Sequence, residues 1–231
     1  MTDRPIIFSA PMVQALIKGR KFQTRRIIKP QPTMSFVVQC DDRPGWFGDE
    51  EGECDFNIRY APGDRLWVRE NCWAEELMNG DDGVFYPADR SWQKIENTAA
   101  AADAWHTMLY YARKGDTSLS NIGKQVPSIH MPRWASRLTL AVTDVRVQRL
   151  NDISEADARA EGIERMKSGR GFHHPIAPKG TVHLGNWTST AAQGFRTLWN
   201  SLHGPDAWDA NPWVVALTFD VHRGNIDEVQ P

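Results

Sequence analysis

Residues 138–162 read LTLAVTDVRVQRLNDISEADARAEG and join the clearest strand of the chain to its best-marked helix. Apolar and polar residues alternate along Leu138–Leu150, with one change of phase, which is typical of a strand with a bulge. Ser154 and Asp157 form a pattern similar to a capping box, and Gly162 stands where a left-handed residue commonly ends a helix. The stretch therefore predicts a long strand followed directly by a short, capped helix.

Short strands and helices without regular βαβ alternation surround this stretch. Strands are predicted at Pro5–Phe8, Arg65–Trp73, Val84–Tyr86, Met108–Ala112 and Trp213–Val221; helices are predicted before Gly19, over residues 93–106, and between a cap at Thr188 or Ser189 and Gly204. Residues 41–55 are predicted to form a surface loop. This order indicates an α+β fold with a mostly antiparallel, barrel-like sheet. No repeat or linker divides the chain, so residues 1–231 are expected to form a single domain.

The composition is that of an ordinary globular protein, with 41% hydrophobic and 24% charged residues. The longest uncharged apolar stretch, Trp213–Phe219, is too short to cross a bilayer, which needs roughly 20 residues. No apolar segment typical of a signal peptide follows the first residue, so no membrane partner is expected. Cys40, Cys54 and Cys72 form an odd, widely spaced set without a C-x-x-C pair, which predicts reduced thiols in a cytoplasmic protein.

No metal or cofactor is predicted from the residue patterns. His173, His174 and His183 are near one another in sequence, but no carboxylate or cysteine completes a recognised ligand spacing.

The net charge of −2 conceals an uneven distribution of charges along the chain. Residues 1–32 carry seven basic side chains and one acid, whereas residues 41–55 carry seven acids and one arginine. A basic cluster of this kind can attract phosphate. The acidic stretch is interpreted as a solvated face.

The segment Gly19–Arg26, GRKFQTRR, places four cations and one hydroxyl within eight residues just beyond a helix end. A lysine beside arginines in a partly desolvated cleft has a lowered pKa, so Lys21 could act as a base. The Thr24 hydroxyl would then be a nucleophile that can be activated. In an extended segment these two side chains alternate, and only an irregular path brings them together. By spacing alone, such a basic turn is more often a solvated surface, either one that binds phosphate or one that only keeps the protein soluble.

Three segments carry a resemblance to a known family. The sequences PMVQALIKGRKFQTRR over 11–26, PGDRLWVRE over 62–70 and ISEADARAEG over 153–162 resemble the ASCH domain, which belongs to the PUA-like β-barrel superfamily. The sequences PSIHMPRWASR over 127–137 and WDANPWV over 208–214 are similar to longer ASCH proteins of phages and prophages. The resemblance leaves out regions near 33–57, 87–125 and 164–187, which are interpreted as insertions.

The resemblance implies a cleft between sheet and helices that is suited to a nucleobase or a nucleic acid. One branch of the family hydrolyses N4-acetylcytidine to cytidine and acetate through a K-x-x-T pair. Its proton-accepting lysine and nucleophilic threonine match Lys21 and Thr24, its proton-donating glutamate matches Glu161, and its motif arginine matches Arg26. Phe22 stands where those enzymes usually carry threonine, which indicates a remodelled pocket.

Five further residues are candidates for substrate contact. Arg20 and Arg25 belong to the basic segment. Glu70, at a strand end close to two arginines, is interpreted as the partner in an ion pair or as a substrate contact. Arg133 and Trp134 place a guanidinium beside an aromatic ring, a combination that suits a base or a single strand; a core position is the alternative for Trp134.

These observations lead to three hypotheses. The first is a metal-independent amidohydrolase that acts on an N4-acylated cytosine nucleoside or nucleotide. The second is a non-catalytic phage or prophage module that binds RNA or modified DNA, and the third is a ribonuclease that uses the same cleft. The complete lysine, threonine and glutamate set favours the first, whereas the extra length and loops favour the second. The acyl group, the choice between free nucleoside and polymer, and the oligomeric state stay open.

Overall fold

The structure is a computed structural model that describes residues 1–34, 36–43, 45–48, 54–96, 98–113, 125–173 and 188–229. The strands are β1 (Asp3–Ile7), β2 (Gln23–Ile27), β3 (Val38–Gln39), β4 (Trp46–Gly48), β5 (Cys54–Asn57), β6 (Arg65–Arg69), β7 (Trp73–Glu76), β8 (Asp82–Tyr86), β9 (Ser91–Lys94), β10 (Leu138–Arg149), β11 (Glu164–Arg165), β12 (Phe172–His173) and β13 (Trp213–Arg223). The helices are α1 (Ala10–Ile17), α2 (Ala99–Arg113), α3 (Glu155–Ala160) and α4 (Ala191–His203).

The described strands form four sheets, none of which is closed into a barrel. The largest has the order β1–β6–β10–β13–β2, and the others are β3–β4–β5, β7–β8–β9 and β11–β12. Strand β1 runs parallel to β6, while β2–β13 and the pairs of the three smaller sheets are antiparallel. The prediction of an α+β fold with mostly antiparallel sheets is therefore confirmed.

The chain forms two compact units, each with its own hydrophobic cluster. The first unit comprises Met1, Lys18–Asp64 and Ala141–Asp220, and the second comprises Thr2–Ile17, Arg65–Leu140 and Val221–Pro231. The cluster of the first unit packs α3 and α4 together and consists of Leu150, Ile153, Ala158, Ile163, Ala191, Phe195, Leu198, Trp199 and Val214. The cluster of the second unit consists of Cys72, Ala74, Val84, Tyr86, Trp105, Met108, Met131 and Ala135.

Strand β10 and helix α3 follow the sequence prediction closely. Ser154 is the N-cap of α3, and its hydroxyl accepts a hydrogen bond from the Asp157 N–H at 3.1 Å. Gly162 has a φ of +103°, in the left-handed region that favours glycine at a helix end. The last residue before this glycine, Glu161, therefore has a fixed position at the end of α3.

The N-cap of helix α4 lies two residues after Thr188 and one residue after Ser189, the two predicted caps. Its N-cap is Thr190, whose hydroxyl accepts from the Gln193 N–H at 3.2 Å. The Thr188 hydroxyl is instead a donor to the Thr190 carbonyl, so it does not cap the helix. The Glu155 carboxylate adds a second cap, because it accepts from the first two N–H groups of the helix at 2.8 and 3.0 Å.

The helix predicted over 93–106 is present with other boundaries, and the strand predicted at Met108–Ala112 is wrong. Residues 91–94 form β9, and α2 runs through the predicted strand to residue 113. Ala101, Trp105 and Met108 are buried at spacings of four and three, so one apolar face of a helix continues past the predicted end.

The predicted acidic loop contains β4 and the start of β5, which form a small antiparallel sheet with β3. Cys40 lies in a disulfide bond, so the prediction of reduced thiols is wrong for this residue. Cys72 is a free, buried thiol whose pKa is raised to about 12 by burial. The side chain of Cys54 lies outside the described residues. The cysteine spacing alone therefore does not support a cytoplasmic assignment.

Within the part of the chain that the structure describes, no helix is long and apolar enough to cross a membrane.

Candidate functional site

Strand β2 carries the candidate site of the first unit, and Gly19 directs the chain toward it. Gly19 has a φ of +62°, and no atom lies within 4 Å of the position that a Cβ would occupy. Glycine is needed here for its backbone conformation rather than for space. Strand β2 pairs with β13, with Thr24 opposite Leu217 and Arg25 opposite Ala216. This pairing places successive β2 side chains on opposite faces of the sheet.

A buried ion pair joins Lys21 to Glu161. The lysine Nζ donates to Glu161 Oε2 at 2.6 Å and to the Glu161 carbonyl at 3.2 Å. The two side chains are 1% and 4% exposed. Burial lowers the pKa of Lys21, and this effect outweighs the neighbouring carboxylate, which raises it. Transfer of the shared proton from Nζ to Oε2 would give a neutral amine and a neutral acid, the forms that a base and an acid catalyst need.

Arg25 binds the other oxygen of the Glu161 carboxylate. Its Nη1 donates to Glu161 Oε1 at 3.1 Å and to Gln23 Oε1 at 2.6 Å, and its Nη2 donates to Asp157 Oδ2 at 3.2 Å. The Glu161 carboxylate is therefore held on both oxygens by different cations, which fixes its orientation.

Asp157 connects this pair to two further residues of the first unit. Its Oδ1 accepts from Gln23 Nε2 at 3.1 Å and from Arg146 Nη2 at 2.9 Å. Burial raises the pKa of Asp157, but hydrogen bonds from Arg146 and Gln23 and the charges of Arg146 and Arg25 lower it below its usual value. Asp157 is thus held as a carboxylate that anchors Arg25 and Gln23.

Thr24 and Arg26 lie on the face of β2 opposite to Gln23 and Arg25. Thr24 is 3% exposed, and its hydroxyl forms no hydrogen bond with the residues that the structure describes. Burial lowers the pKa of Arg26, while the charge of Glu161 raises it. The structure brings Lys21, Glu161 and Arg25 into contact, and it leaves the Thr24 hydroxyl outside their hydrogen bonds.

The basic segment is not an open, solvated patch of charge. Arg20 forms an ion pair with Glu164, Lys21 pairs with Glu161, and Arg25 pairs with both Glu161 and Asp157. Three of its four cations are therefore already matched to carboxylates of the same unit.

Glu70 belongs to a separate charge cluster in the second unit. Arg137 binds both of its oxygens, from Nε at 2.7 Å and from Nη2 at 2.9 Å, and also binds Asp89 at 2.9 Å. The Arg137 guanidinium lies 4.1 Å from the centre of the Tyr86 ring. The partner of Glu70 is thus Arg137 rather than a neighbour in sequence; Arg65 pairs with Asp3 instead.

Arg133 and Trp134 also lie in the second unit, and each has partners within that unit. Arg133 Nη2 contacts Asp3 and Asp227, each at 2.6 Å. Trp134 is partly buried and packs against the hydrophobic cluster around Trp105. The core alternative for Trp134 is therefore the one that its contacts fit.

A cavity of about 150 Å³ lies in the second unit. Its lining includes Tyr86, Trp134, Arg137, Glu96 and Glu228. The candidate site in the first unit is instead a set of buried charges where β2 meets the end of α3. These buried charges include a lysine and a carboxylate in direct contact, which are groups able to exchange protons.

Within the described ranges, no group of three histidine, cysteine or acidic side chains is placed to hold a metal ion. His174 and His183 lie outside these ranges.

The sequence analysis does not identify Gln23, Asp157 and Arg146 as members of the site. A signal was present in the spacing: Asp157 and Glu161 are four residues apart and share one face of a helix. Alternate residues of the basic segment share one face of a strand, so the two faces carry complementary charges. Arg146 gives no comparable signal, because it lies on the long strand β10, outside both the basic segment and α3.

No family model, no curated protein and no solved structure matches this chain.

Proposed function

We propose that the chain is a metal-independent amidohydrolase that removes the acyl group from an N4-acylated cytosine nucleoside or nucleotide. The observation that carries the proposal is the buried pair of Lys21 and Glu161, in which the lysine Nζ donates to Glu161 Oε2 at 2.6 Å. A buried amine and a buried carboxyl group in direct contact can supply a base and an acid to the same reaction. The motif resemblance to ASCH amidohydrolases, and with it a PUA-like architecture, is part of this proposal.

The first half of the reaction transfers the acyl group to the protein. The reactive form has the shared proton on Glu161, which leaves Lys21 as a free amine. Lys21 takes the proton of the Thr24 hydroxyl, and the Thr24 oxygen attacks the acyl carbonyl. Glu161 gives its proton to N4 as the carbon–nitrogen bond breaks, so cytidine leaves with a neutral amino group. Arg26 stabilises the negative charge on the carbonyl oxygen.

The second half restores the protein and consumes one water molecule. Glu161, now a carboxylate, accepts a proton from water, whose oxygen attacks the ester on Thr24. The Lys21 ammonium returns its proton to the Thr24 oxygen as the carboxylic acid is released. The sum is hydrolysis of one amide to an amine and an acid, and no metal or redox partner is needed.

The position of Thr24 sets one requirement on this mechanism. Because its hydroxyl lies outside the hydrogen bonds of the pair and on the face of β2 opposite to Arg25, the segment at Lys21 must rearrange when substrate binds. Its Nζ must leave the Glu161 carbonyl, 3.2 Å away, and reach Thr24. Catalytic hydrogen bonds commonly tighten only in the complex with substrate. Breaking the hydrogen bond between Lys21 and Glu161 at the same moment would leave the Arg25 contact to Glu161 in place.

The alternative of a non-catalytic nucleic-acid module would use the basic segment to contact phosphates. Such contacts need cations whose charge is available to the ligand. Arg20, Lys21 and Arg25 are each paired with a carboxylate, which supports the hydrolase over the binding module and over a ribonuclease in the same cleft.

A direct test incubates the purified chain with cytidines that carry different N4-acyl groups. We expect a change in ultraviolet absorbance as the amide becomes an amine, together with release of one equivalent of carboxylic acid. A folded preparation that turns over no member of the panel would contradict the proposal.

The same assay tests independence from metals. A chelator should leave the rate unchanged, because the nucleophile comes from the protein. Activity that is abolished by the chelator and restored by zinc would rule out the Thr24 mechanism.

A further inference from the structure

The segment Lys21–Arg25 inverts the usual relation between polarity and burial. Lys21, Gln23, Thr24 and Arg25 are between 1% and 4% exposed, whereas Phe22 in their midst is 43% exposed. A single exposed apolar residue is ordinary, but charged and amide groups are rarely this deeply buried. Here four polar side chains are held inside while the only aromatic ring of the segment faces outward.

The exposure of Phe22 does not come from a loose backbone. Its N–H donates to the Ala160 carbonyl at 2.8 Å, and its carbonyl accepts from the Phe219 N–H at 3.0 Å. Both of its backbone groups are therefore fixed, one by the end of α3 and the other by β13. Since Ala160 directly precedes Glu161, the first of these bonds holds the Phe22 backbone beside the residue before the acid of the pair.

The Phe219 contact extends the pairing of β2 and β13 by one residue beyond Gln23. Side chains two positions apart in a strand lie on the same face, about 7 Å from each other. Phe22 therefore precedes Thr24 and Arg26 on their face of the strand. A flat group lying on the Phe22 ring would therefore be on the face of β2 that carries Thr24.

We propose that Phe22 is a stacking platform for the heteroaromatic ring of the substrate and thereby determines specificity for a planar base. The inference rests on the proposed function, because it assigns the ring-binding part of the same site. Stacking of a base on an aromatic side chain strengthens binding roughly 5- to 150-fold. Stacking on Phe22 accepts any planar ring and does not distinguish one base from another. Discrimination between bases would therefore depend on hydrogen bonds to polar groups around Thr24.

The test is a titration with cytidine, the product, which binds without turnover. Phe22→Leu keeps an apolar side chain but loses the flat ring, and Phe22→Trp enlarges it. Phe36→Leu is a matched control, since Phe36 is an exposed phenylalanine of the same unit, 68% exposed. We expect cytidine affinity to fall on the order of tenfold in Phe22→Leu and to be kept or increased in Phe22→Trp. Phe36→Leu should bind as the parent does.

Unchanged affinity in Phe22→Leu, or a parent that does not bind cytidine, would overturn the proposal. A parent that sediments as an oligomer and becomes monomeric in Phe22→Leu would also overturn it, because the ring would then cover a second copy of the chain. The two proposals fail in different ways. Binding that depends on Phe22 without hydrolysis refutes the amidohydrolase alone; hydrolysis with the same KM in Phe22→Leu refutes the platform alone.

Discussion

The two units each bury a cluster of opposite charges, and the clusters are built from different cations. In the second unit, Arg137 binds Glu70 through two parallel hydrogen bonds and its third edge binds Asp89. In the first unit, a lysine makes one short contact to Glu161, whose other oxygen is held by Arg25. The Arg137 cluster of the second unit is a planar fork closed on both sides. The Lys21 cluster of the first unit contains a point charge that can release a proton.

The difference between the cations decides what each cluster can do. A guanidinium stays protonated at any pH that a protein survives, so the Arg137 cluster can orient and stabilise but cannot exchange protons. A buried lysine loses its proton far more readily, and burial lowers the pKa of Lys21. The cluster around Lys21 is therefore the one that can exchange protons, and the cluster around Arg137 contributes to stability.

The largest expected effect is on catalysis in the first unit. Thr24→Ala should reduce the rate of hydrolysis at least about 10³-fold, because it removes the attacking oxygen. Thr24→Ser should keep part of the rate, since it keeps that oxygen and loses only the methyl group. The measurement is kcat for both variants, with cytidine affinity as the control for an intact site. Full activity in Thr24→Ala would exclude the nucleophile.

In the second unit, the expected effect is on stability alone. Arg137→Lys cannot reproduce the fork to Glu70, and it leaves buried carboxylates poorly paired, so the free energy of unfolding should fall by about 3 kcal/mol. Denaturant unfolding measures this change. Hydrolysis by the folded protein at low temperature should match the parent; a selective loss of kcat would place Arg137 in the catalytic site.

The shared proton predicts how the rate depends on pH. The pair is active while it holds one proton, and it becomes inactive when that proton is lost and none remains for the leaving nitrogen. Because burial lowers the pKa of Lys21, the rate should start to fall at a pH below 10.5, the value of an exposed lysine, and then drop about tenfold per pH unit. A rate that still rises beyond that pH would contradict the shared proton.

The smallest effect is expected at the surface pair of Arg133 and Asp227. Their side chains are 37% and 61% exposed, so solvent weakens the attraction. Asp227→Asn should change the free energy of unfolding by less than about 1 kcal/mol, in contrast to the buried arginine of the same unit. A fall in the free energy of unfolding as large as that in Arg137→Lys would contradict this. It would show that the exposed Arg133 pair contributes as much to stability as the buried Arg137 cluster.

Local patterns predicted those parts of the fold that local interactions determine. The alternation in β10 and the serine cap of α3 act within a few residues, and both are present in the structure. The prediction of a strand at Met108–Ala112 was wrong because this segment continues α2. The apolar face of α2, which includes Trp105, packs onto a core formed by residues distant in sequence, and local patterns do not reveal such contacts.

The pairing within the candidate site was beyond local patterns for a different reason. Lys21 and Glu161 are 140 residues apart, and their contact depends on the path of the whole first unit. The residues were identified through the motif resemblance, but their burial was not, because a run of cations ordinarily indicates a solvated face. The spacing of Asp157 and Glu161 was the feature of the sequence that could have indicated buried ion pairs with these cations.

The most direct test of the account replaces Lys21 by arginine and measures kcat for N4-acetylcytidine. A guanidinium keeps the positive charge beside Glu161 but cannot give up its proton, so the account predicts a loss of about 10²–10⁴-fold, nearly as large as in Lys21→Ala. Thermal unfolding and cytidine affinity of Lys21→Arg establish that the site is intact. A rate close to that of the parent would show that Lys21 acts only as a buried charge, which would contradict its role as the base.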